Sequence, residues 1–380
     1  MSNISKEDLI EIKERDFLKN TNHYHDFDNV KTELVYGFPN QDKVFLTIII
    51  PIYDHPYDLI FRSINSAIYQ ECDFAFHIII IDDYTADDRN NVVLNYVKSL
   101  HDTRITYYKN QSNLGVFANW NRGILLSNSD WITILHTDDF FKNNLLSNMK
   151  NIIDCHPEID QLCCNYKMLD AKDKRININD EYRGTNEHVC VRKVKYTEYF
   201  YEMKTSVKGS FYKKDKLLSL GGFRSQGDGI GLDDYPLMLR FAYYYNTYLI
   251  ESVLYLDTWG YNDSLNTKHW FPELVENYYM WIYFANKIGG LFGYIYKRNA
   301  MYLLRKRAVE YDNGTSWVGI PVPIDMSLLQ AYCNVNFKKG TALEELIVSF
   351  LARVINYFYK HPLKKFNVVL KEGITLKPLD

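Results

Sequence analysis

Between about residues 44 and 135 the chain alternates short, uniformly apolar runs with segments of helical periodicity. The apolar runs are rich in β-branched residues, and three of them end at proline or at acidic residues. Such runs predict strands buried on both faces, and their alternation with helices predicts a parallel sheet covered by helices. The predicted strands are residues 45–50, 77–81, 104–108 and 131–135, and the predicted helices are residues 57–69, 89–100 and 115–127.

The chain differs in character on either side of this α/β region. Residues 1–43 are polar and acidic and open with a helical segment, and beyond about residue 271 the signals are helical throughout. We therefore expect a helical extension over 1–43, an α/β domain over 44–270 and a C-terminal helical region over 271–380.

One stripe of apolar residues recurs at helical spacing from Leu343 to Phe358. Stripes of this kind most often pack in a core, here against the α/β domain, and contact between two copies of the chain is the alternative. A third interpretation is a membrane surface, because a helix over 294–310 carries Arg305, Lys306 and Arg307 and basic clusters attract anionic lipid.

Composition narrows the class of protein. The chain has 380 residues, of which 47% are hydrophobic and 24% charged, and this excludes a disordered, collagen-like or disulfide-scaffold protein. A net charge of -3 provides no overall field for nucleic acid. The count of 32 tyrosines suits sugar-binding clefts, interfaces and membrane borders, although AT-rich coding also raises tyrosine usage.

Cysteine usage and hydropathy indicate the compartment. The six cysteines form no CxxC pair, the first residues lack the apolar core of a signal peptide, and no stretch matches a membrane span. We expect a cytoplasmic protein with free thiols, with peripheral contact at the inner face of the cell membrane as an extension of the lipid interpretation.

Candidate chemistry follows the predicted strands at the edge where ligands of such folds bind. Asp82 and Asp83 come directly after the second strand, and Asp138 and Asp139 follow the fourth. Adjacent carboxylates repel each other unless a cation or nearby backbone amides compensate them, so the pair at 138–139 indicates either a divalent-cation site or an acidic loop cap. No GxGxxG and no GxxxxGK[ST] motif is present to bind a dinucleotide or a triphosphate.

A glycine-rich segment later leads to Asp233 and Asp234 near the start of a predicted helix. Carboxylates are stabilised there by the helix dipole, so an N-cap pair is one interpretation. The other is a general base that takes a proton from an attacking hydroxyl.

In this order and spacing the pieces resemble the family 2 glycosyltransferases of the GT-A fold, over roughly residues 44–265. The resemblance implies a mixed, mainly parallel sheet flanked by helices, with the C-terminal helical region outside it. The matching pieces are Thr47–Asp54, Ile80–Thr85, Asn113–Gly115, Asn121–Gly123, Leu135–Asp139, Leu220–Phe223 and Asp233–Arg240.

The resemblance also implies residue roles. Asp138, supported by Asp139, would bind Mn²⁺ or Mg²⁺ at the donor diphosphate, and Asp234 would be the catalytic base of an inverting displacement. The remaining positions would bind the nucleotide-sugar, and they are Pro51, Tyr53, Asp82, Asp83, Asn113, Asn121, His136 and Thr137.

The chain departs from the family pattern at several positions. His136 replaces the first acid of the usual DxD, and Asn119-Trp120-Asn121 replaces an Ala-Arg-Asn motif. Downstream, the expected Tyr-Arg-x-His is missing, which leaves His269 as a candidate substitute ligand or an ordinary surface or core residue.

The expected function is therefore metal-assisted transfer of a hexose from a UDP-linked donor to a glycan, lipid-linked or protein-linked acceptor, in surface polysaccharide or glycoconjugate synthesis. Further expected partners are a membrane surface or a second copy of the chain, and nucleic acid is not expected. A degenerate GT-A domain that serves as a binding or scaffold subunit is the alternative from another class. A nucleotidyltransferase is disfavoured because no basic glycine-rich loop follows the first strand.

Overall fold

One mixed β-sheet organises the chain. The structure is a computed structural model that describes residues 4–39, 42–170, 188–200, 205–224, 234–260, 270–316, 319–335, 342–360 and 365–370. Along the sheet the strands follow the order β1-β4-β3-β2-β5-β9-β7-β10-β8-β11, and β6 pairs with β10. The strands are β1 (Thr32–Tyr36), β2 (Val44–Ile52), β3 (Phe76–Asp82), β4 (Ile105–Asn110), β5 (Ser129–Ile134), β6 (Phe140–Phe141), β7 (Gln161–Asp170), β8 (His188–Val194), β9 (Ser210–Lys213), β10 (Thr247–Trp259) and β11 (Lys365–Val369).

The centre of the sheet confirms the predicted α/β fold. Strands β4, β3, β2 and β5 are neighbours and run parallel, and most of the outer pairings are antiparallel. The helices are α1 (Lys6–Glu14), α2 (Tyr57–Ile68), α3 (Asp87–Ser99), α4 (Val116–Leu126), α5 (Leu145–Cys155), α6 (Lys214–Ser219), α7 (Asp234–Tyr244), α8 (Trp270–Ile288), α9 (Gly290–Asp312), α10 (Met326–Cys333) and α11 (Ala342–Lys360), with a short 3₁₀ helix at Tyr196–Phe200.

Alternation along the parallel strands supplies two cores, one on each face of the sheet. In β2, Ile48 and Ile50 belong to one apolar cluster and Ile49 to the other, and all three are fully buried. Successive side chains of a strand point to opposite faces, so a uniformly apolar run is needed when helices cover both. This is the physical reason for the isoleucine runs in the sequence.

Both terminal segments take part in the sheet. Residues 1–43 were expected to be helical, and they contain α1, but they also supply β1, which pairs antiparallel with β4. At the other end, β11 pairs with β8, so the C-terminal region is not helical throughout. Ion pairs of Glu276 on α8 with Arg15 and Arg224 connect the N-terminal segment to the helical region. The expected divisions at 43/44 and 270/271 stay predictions.

The apolar stripe of α11 is mostly exposed, contrary to the expectation of core packing. Leu346 is 70% exposed and Phe350 64%, whereas Ala352 and Ile355 on the opposite side are buried. The helix packs with that narrow buried side, and Leu346 and Phe350 face solvent because nothing in the described chain covers them. Among the described helices, none combines the length and apolar character needed to cross a membrane.

A glycine in α4 gives a test of the core. A Cβ at Gly123 would lie 2.5 Å from Cγ2 of Ile49, so Gly123→Ala forces the helix away from β2. We expect a loss of about 1–3 kcal/mol in the free energy of unfolding, despite the better helix propensity of alanine. Chemical denaturation of Gly123→Ala, Ile49→Ala and the double variant measures it. A sum of single effects equal to the double would contradict the direct contact.

Candidate active site

The carboxyl ends of the parallel strands place the predicted residues along one edge of the sheet. The Asp83 amide donates to the Ile52 carbonyl at 2.8 Å, and the Leu135 amide donates to the Ile49 carbonyl at 2.9 Å. These bonds hold the loops after β3 and β5 against the end of β2. Two of the loop residues, Asp54 and Tyr84, adopt φ of 44° and 72°, in the left-handed region that non-glycine residues seldom occupy. Strain of this kind collects at functional sites.

Asp82 and Asp83 are buried and their oxygens accept hydrogen bonds within the protein. Asp82 accepts from the Thr85 amide at 2.7 Å and from the Tyr107 hydroxyl at 3.0 Å. Asp83 accepts from the Leu114 and Gly115 amides at 2.8 and 2.9 Å, and burial raises the pKa of its carboxyl. This geometry favours a supporting role for Asp82, in contrast to the predicted direct contact with the nucleotide.

The other predicted nucleotide-binding residues are of two kinds: some hold loops together, and others lie at least partly open to solvent. Asn121 is buried and exchanges two hydrogen bonds with the backbone of Phe223, and Asn113 donates to the Asp83 carbonyl at 3.2 Å, so both hold loops together. Pro51 lies half-buried at the end of β2. Tyr53 is 51% exposed beside it, and Tyr84, which was not singled out from the sequence, is 55% exposed after β3. Two tyrosines are thus open at this edge.

Asp139 connects the loop after β5 to strand β10. Its carboxylate accepts from the Tyr255 hydroxyl and from the Thr258 amide, both at 2.8 Å. The residue is completely buried, and burial is the main cause that raises the pKa of its carboxyl well above the usual value. Asp139 is therefore held in place by β10, and its support of Asp138 stays a prediction.

Asp138 and His136 complete a group that can hold a metal ion. One ligand atom of each of His136, Asp138 and Asp139 lies within 4.8 Å of the other two. The His136 ring stacks on Trp120 at 5.0 Å, its Nδ1 lies 3.6 Å from Asp139, and its Nε2 is buried without a hydrogen-bond partner in the described structure. Burial lowers the pKa of His136 to about 3, so the imidazole is neutral and Nε2 is available as a ligand.

The loop around these residues is fixed by α2. Thr137 hydrogen-bonds to His55 at 3.0 Å, and Ser63 donates to the His136 carbonyl at 3.0 Å. Arg62 donates to the Asp138 carbonyl at 3.0 Å and to the Thr258 hydroxyl at 2.6 Å, and its guanidinium lies 4.5 Å from the Phe140 ring centroid. The backbone that carries the candidate ligands is therefore bonded from two sides.

A lysine and a third carboxylate at this site were missed from the sequence. The Lys208 ammonium lies 2.6 Å from Asp257 on β10 and 3.8 Å from Asp139, with 19% of its side chain exposed. These carboxylates raise the pKa of Lys208 although its burial acts in the opposite direction. Because Lys208 stands alone before the short strand β9, no motif marked it, whereas Asp257 could have been noted as an acid after an apolar run.

The predicted base, Asp234, lies in the described part of the chain. It is the first residue of α7, is half-buried, and accepts from the Tyr235 amide at 2.9 Å. The carboxylates of Asp257, Asp234 and Asp139 all act on Tyr166, whose hydroxyl pKa is raised mainly by burial. Tyr166 therefore interacts electrostatically with Asp257, Asp139 and Asp234. That the predicted base and the predicted metal ligands share one cleft stays a prediction.

Glu273 on α8 adds a carboxyl that sequence reasoning did not single out. Burial raises its pKa to about 7, the charge of Arg307 lowers it, and the charge of Asp234 raises it further. Its Oε1 accepts from Asn277 at 3.2 Å, and its Oε2 is buried without a hydrogen-bond partner in the described chain. A carboxyl whose charge interacts with that of Asp234 thus lies on α8.

A family model described as glycosyl transferase family 2 matches residues 47–213, from β2 to β9. The match includes the strand ends, His136 to Asp139 and Lys208. Over residues 47–213 the chain is thus similar to the family 2 glycosyltransferases. The predicted resemblance is confirmed, and Asp234 and Asp257 lie beyond the matched residues.

Two curated relatives are uncharacterized glycosyltransferases. The protein of Mycoplasma genitalium is 31% identical over 104 residues, which is 27% of this chain and 35% of the relative. The protein of Methanocaldococcus jannaschii is 26% identical over 178 residues, which is 47% of this chain and 58% of the relative. The chain thus covers between about a third and three-fifths of the length of these two relatives.

The fold of the domain is also found in a solved structure. The crystal structure of S. aureus TarS residues 1–349 in complex with UDP-GlcNAc has a TM-score of 0.51 and 14% sequence identity, and the similarity covers 72% of this chain and 76% of TarS. At this identity the likeness concerns the fold alone, and it confirms the predicted GT-A type sheet with flanking helices.

The buried ammonium gives a test of the geometry. Lys208→Met leaves Asp257 and Asp139 buried without their counter-charge, so we expect a loss of about 3–5 kcal/mol in the free energy of unfolding. Denaturant unfolding measures it. The double variant Lys208→Met/Asp257→Asn removes one of the stranded charges and is expected to recover part of the loss. Equal stability of Lys208→Met and the unmodified chain would contradict the pairing.

Proposed function

We propose that the chain is a glycosyltransferase that moves a sugar from a nucleotide-sugar donor to a hydroxyl group of a glycan acceptor. The observation that carries this proposal is the group of His136, Asp138 and Asp139 at the strand-end edge of a domain similar to the family 2 glycosyltransferases. We propose that the catalytic unit extends from residue 44 to residue 270, so that it includes Asp257, which pairs with Lys208, and the predicted base Asp234.

The donor is proposed to bind across the ends of β2 and β3. Tyr53 and Tyr84 are each about half exposed there and can stack on a base. Asp83 is 3% exposed and directs its carboxylate toward backbone amides of the next loop, so it would shape the base pocket. We propose uracil as the base and a hexose as the sugar, and a screen of nucleotide-sugars that detects free nucleoside diphosphate tests both.

The residues present fit a divalent cation. Asp138 supplies a hard carboxylate, and the unpartnered Nε2 of His136 supplies a neutral nitrogen, a ligand that Mn²⁺ accepts more readily than Mg²⁺. When bound there, the cation would neutralise the charge that develops on the departing diphosphate. Asp139 and Lys208 would hold the ligand loop and balance its charge.

We propose that Asp234 is the general base. The acceptor hydroxyl oxygen attacks the anomeric carbon, the bond from that carbon to the diphosphate oxygen breaks, and the hydroxyl proton passes to the Asp234 carboxylate. One displacement of this kind inverts the anomeric configuration. Tyr166, which is 43% exposed and interacts electrostatically with Asp139 and Asp234, offers an aromatic face to the sugar rings.

The acceptor is proposed to be a growing glycan, a lipid-linked glycan or a protein-linked glycan in the synthesis of a surface polysaccharide or glycoconjugate. The high tyrosine count and the exposed tyrosines at the site support a carbohydrate acceptor. We also propose a cytoplasmic location, because the cysteines are free thiols, as the sequence also suggests.

Metal binding can be measured without turnover. Burial raises the pKa of the Asp138 carboxyl, so its ionised form lowers the stability of the fold as the pH rises through that pKa. In EDTA, where no metal compensates the charge, Asp138→Asn should therefore be as stable as the unmodified chain or more stable. Free Mn²⁺ at about 100 times Kd should stabilise the unmodified chain by about 2.7 kcal/mol and leave the variant unchanged. Thermal unfolding with and without Mn²⁺ measures both, and an equal Mn²⁺ shift in the variant would remove Asp138 from the site.

The role of Asp234 as the base is tested by measuring donor binding and sugar transfer separately. Asp234→Asn should keep metal-dependent UDP binding in calorimetry and lose at least about 100-fold in turnover, because the acceptor proton has no base. Glu273→Gln alters a carboxyl whose charge interacts with that of Asp234. It serves as the matched comparison and should lose less turnover than Asp234→Asn. Full turnover of Asp234→Asn would refute the assignment, and absence of any UDP binding by the unmodified chain would favour a non-catalytic scaffold.

A further inference from the structure

Helices α8 and α9 form a hairpin with a very short turn. Gly289 is the one residue between them, and Gly289 and Gly290 have φ of 67° and 55°, which favours glycine at both positions. A Cβ at Gly293 would lie 2.5 Å from the Ala285 carbonyl oxygen, so the two helices approach each other closely just behind the turn. The end of the hairpin is therefore fixed in shape.

Large apolar and aromatic side chains project from this end. Leu291 is 71% exposed, Tyr294 61% and Phe292 46%, all within the first two turns of α9. Leu291, Tyr294 and the half-buried Ile295 lie three or four positions apart and share one side of the helix. Exposed apolar groups that are contiguous in this way mark a surface that contacts another body.

The charged residues within this segment of the chain are all basic. Residues 286–298, named here the hairpin tip, contain Lys287, Lys297 and Arg298 and neither aspartate nor glutamate. Lys297 and Arg298 are exposed, and the Lys287 ammonium lies 5.4 Å from the Tyr283 ring centroid and acts on the nearby carboxylate of Asp16. The tip thus combines an apolar centre with cations that face solvent.

The basic cluster that the sequence suggested for lipid contact is engaged elsewhere. Arg307 lies 4.8 Å from the Trp281 ring centroid, and Lys306 pairs with Glu310 at 3.5 Å. Since these side chains are turned to protein partners, the hairpin tip is the better-placed cationic surface of the helical region.

We propose that the hairpin tip binds the surface of an anionic lipid bilayer. Apolar and aromatic side chains enter the headgroup boundary while lysine and arginine remain at the charged surface, as in interfacial helices. Symmetric contact between two copies would bring three cations against their own equivalents, which disfavours a second copy as the occupant. The proposal does not depend on sugar transfer.

Vesicle co-sedimentation tests the proposal. The full chain should bind vesicles that contain 30% phosphatidylglycerol in phosphatidylcholine at low salt, and bind pure phosphatidylcholine at least about tenfold more weakly. Leu291→Ser/Tyr294→Ser should lose at least about tenfold in affinity, because it removes the apolar contact. Absence of binding by the unmodified chain at low salt would overturn the proposal.

Charge neutralisation tests the second component. Each exposed basic side chain should contribute about fivefold to the affinity for anionic vesicles, so Lys297→Gln/Arg298→Gln should bind about 25-fold more weakly. The binding of the unmodified chain should also fall steeply between 50 and 300 mM salt, as expected for screening, about tenfold or more. Unchanged binding by this variant would overturn the assignment of the cations.

The exposed stripe of α11 supplies a matched control. Leu346→Ser/Phe350→Ser removes two apolar side chains that are about as exposed as those of the tip, at 70% and 64%, and should leave vesicle binding within about twofold. An equal loss in this control would overturn the assignment to the hairpin tip. Analytical ultracentrifugation without lipid completes the test, since self-association abolished by Leu291→Ser/Tyr294→Ser would identify a second copy as the occupant instead.

Discussion

The candidate site depends on the buried carboxylate of Asp139. Its two oxygens accept from Tyr255 and Thr258 on β10, and Lys208 stands beside it. Through these contacts the loop that follows the parallel strand β5 is attached to a strand from the opposite, mixed half of the sheet. A charge without partners at that depth would be strongly unfavourable, so the two halves of the sheet are held in one relative position by the need to solvate it.

This arrangement explains why acids accumulate here without disrupting the fold. Asp138, Asp139 and Asp257 gather around a single ammonium, and burial raises the pKa of both Asp138 and Asp139. Such a group stores electrostatic repulsion that an added positive charge would relieve. Trp120 and His136 stack on each other, so two of the positions where the sequence departs from the family pattern are in contact.

The sequence predicted the central fold well because uniformly apolar runs such as residues 77–81 have few alternatives to a buried parallel strand. The sequence was less informative about the outer strands and the last helix. Strand β1 has mostly exposed positions where it pairs with β4, and β11 is a late strand in a basic segment. The stripe of α11 has the spacing of a core helix, and spacing alone does not reveal whether a partner surface is available.

The same distinction holds within the site. Strand ends located Asp138, Asp139, His136 and Tyr53, because the topology decides where they lie. The roles of Asp82 and Asn121 depend on which donors surround them, and the closeness of Lys208 to Asp257 joins residues 49 positions apart. Contacts of that separation leave no local signature in the chain.

Strands β1 and β11 occupy the two outer positions of the sheet in the described chain, and they therefore cover the edges of β4 and β8. Without them, β4 and β8 would present open rows of backbone amides and carbonyls to solvent, a template for unwanted pairing with other chains. Excision of the family-matched region alone would also strip β10 from β7. The expressed fragment would therefore expose open strand edges and aggregate, so biochemical work calls for the entire polypeptide.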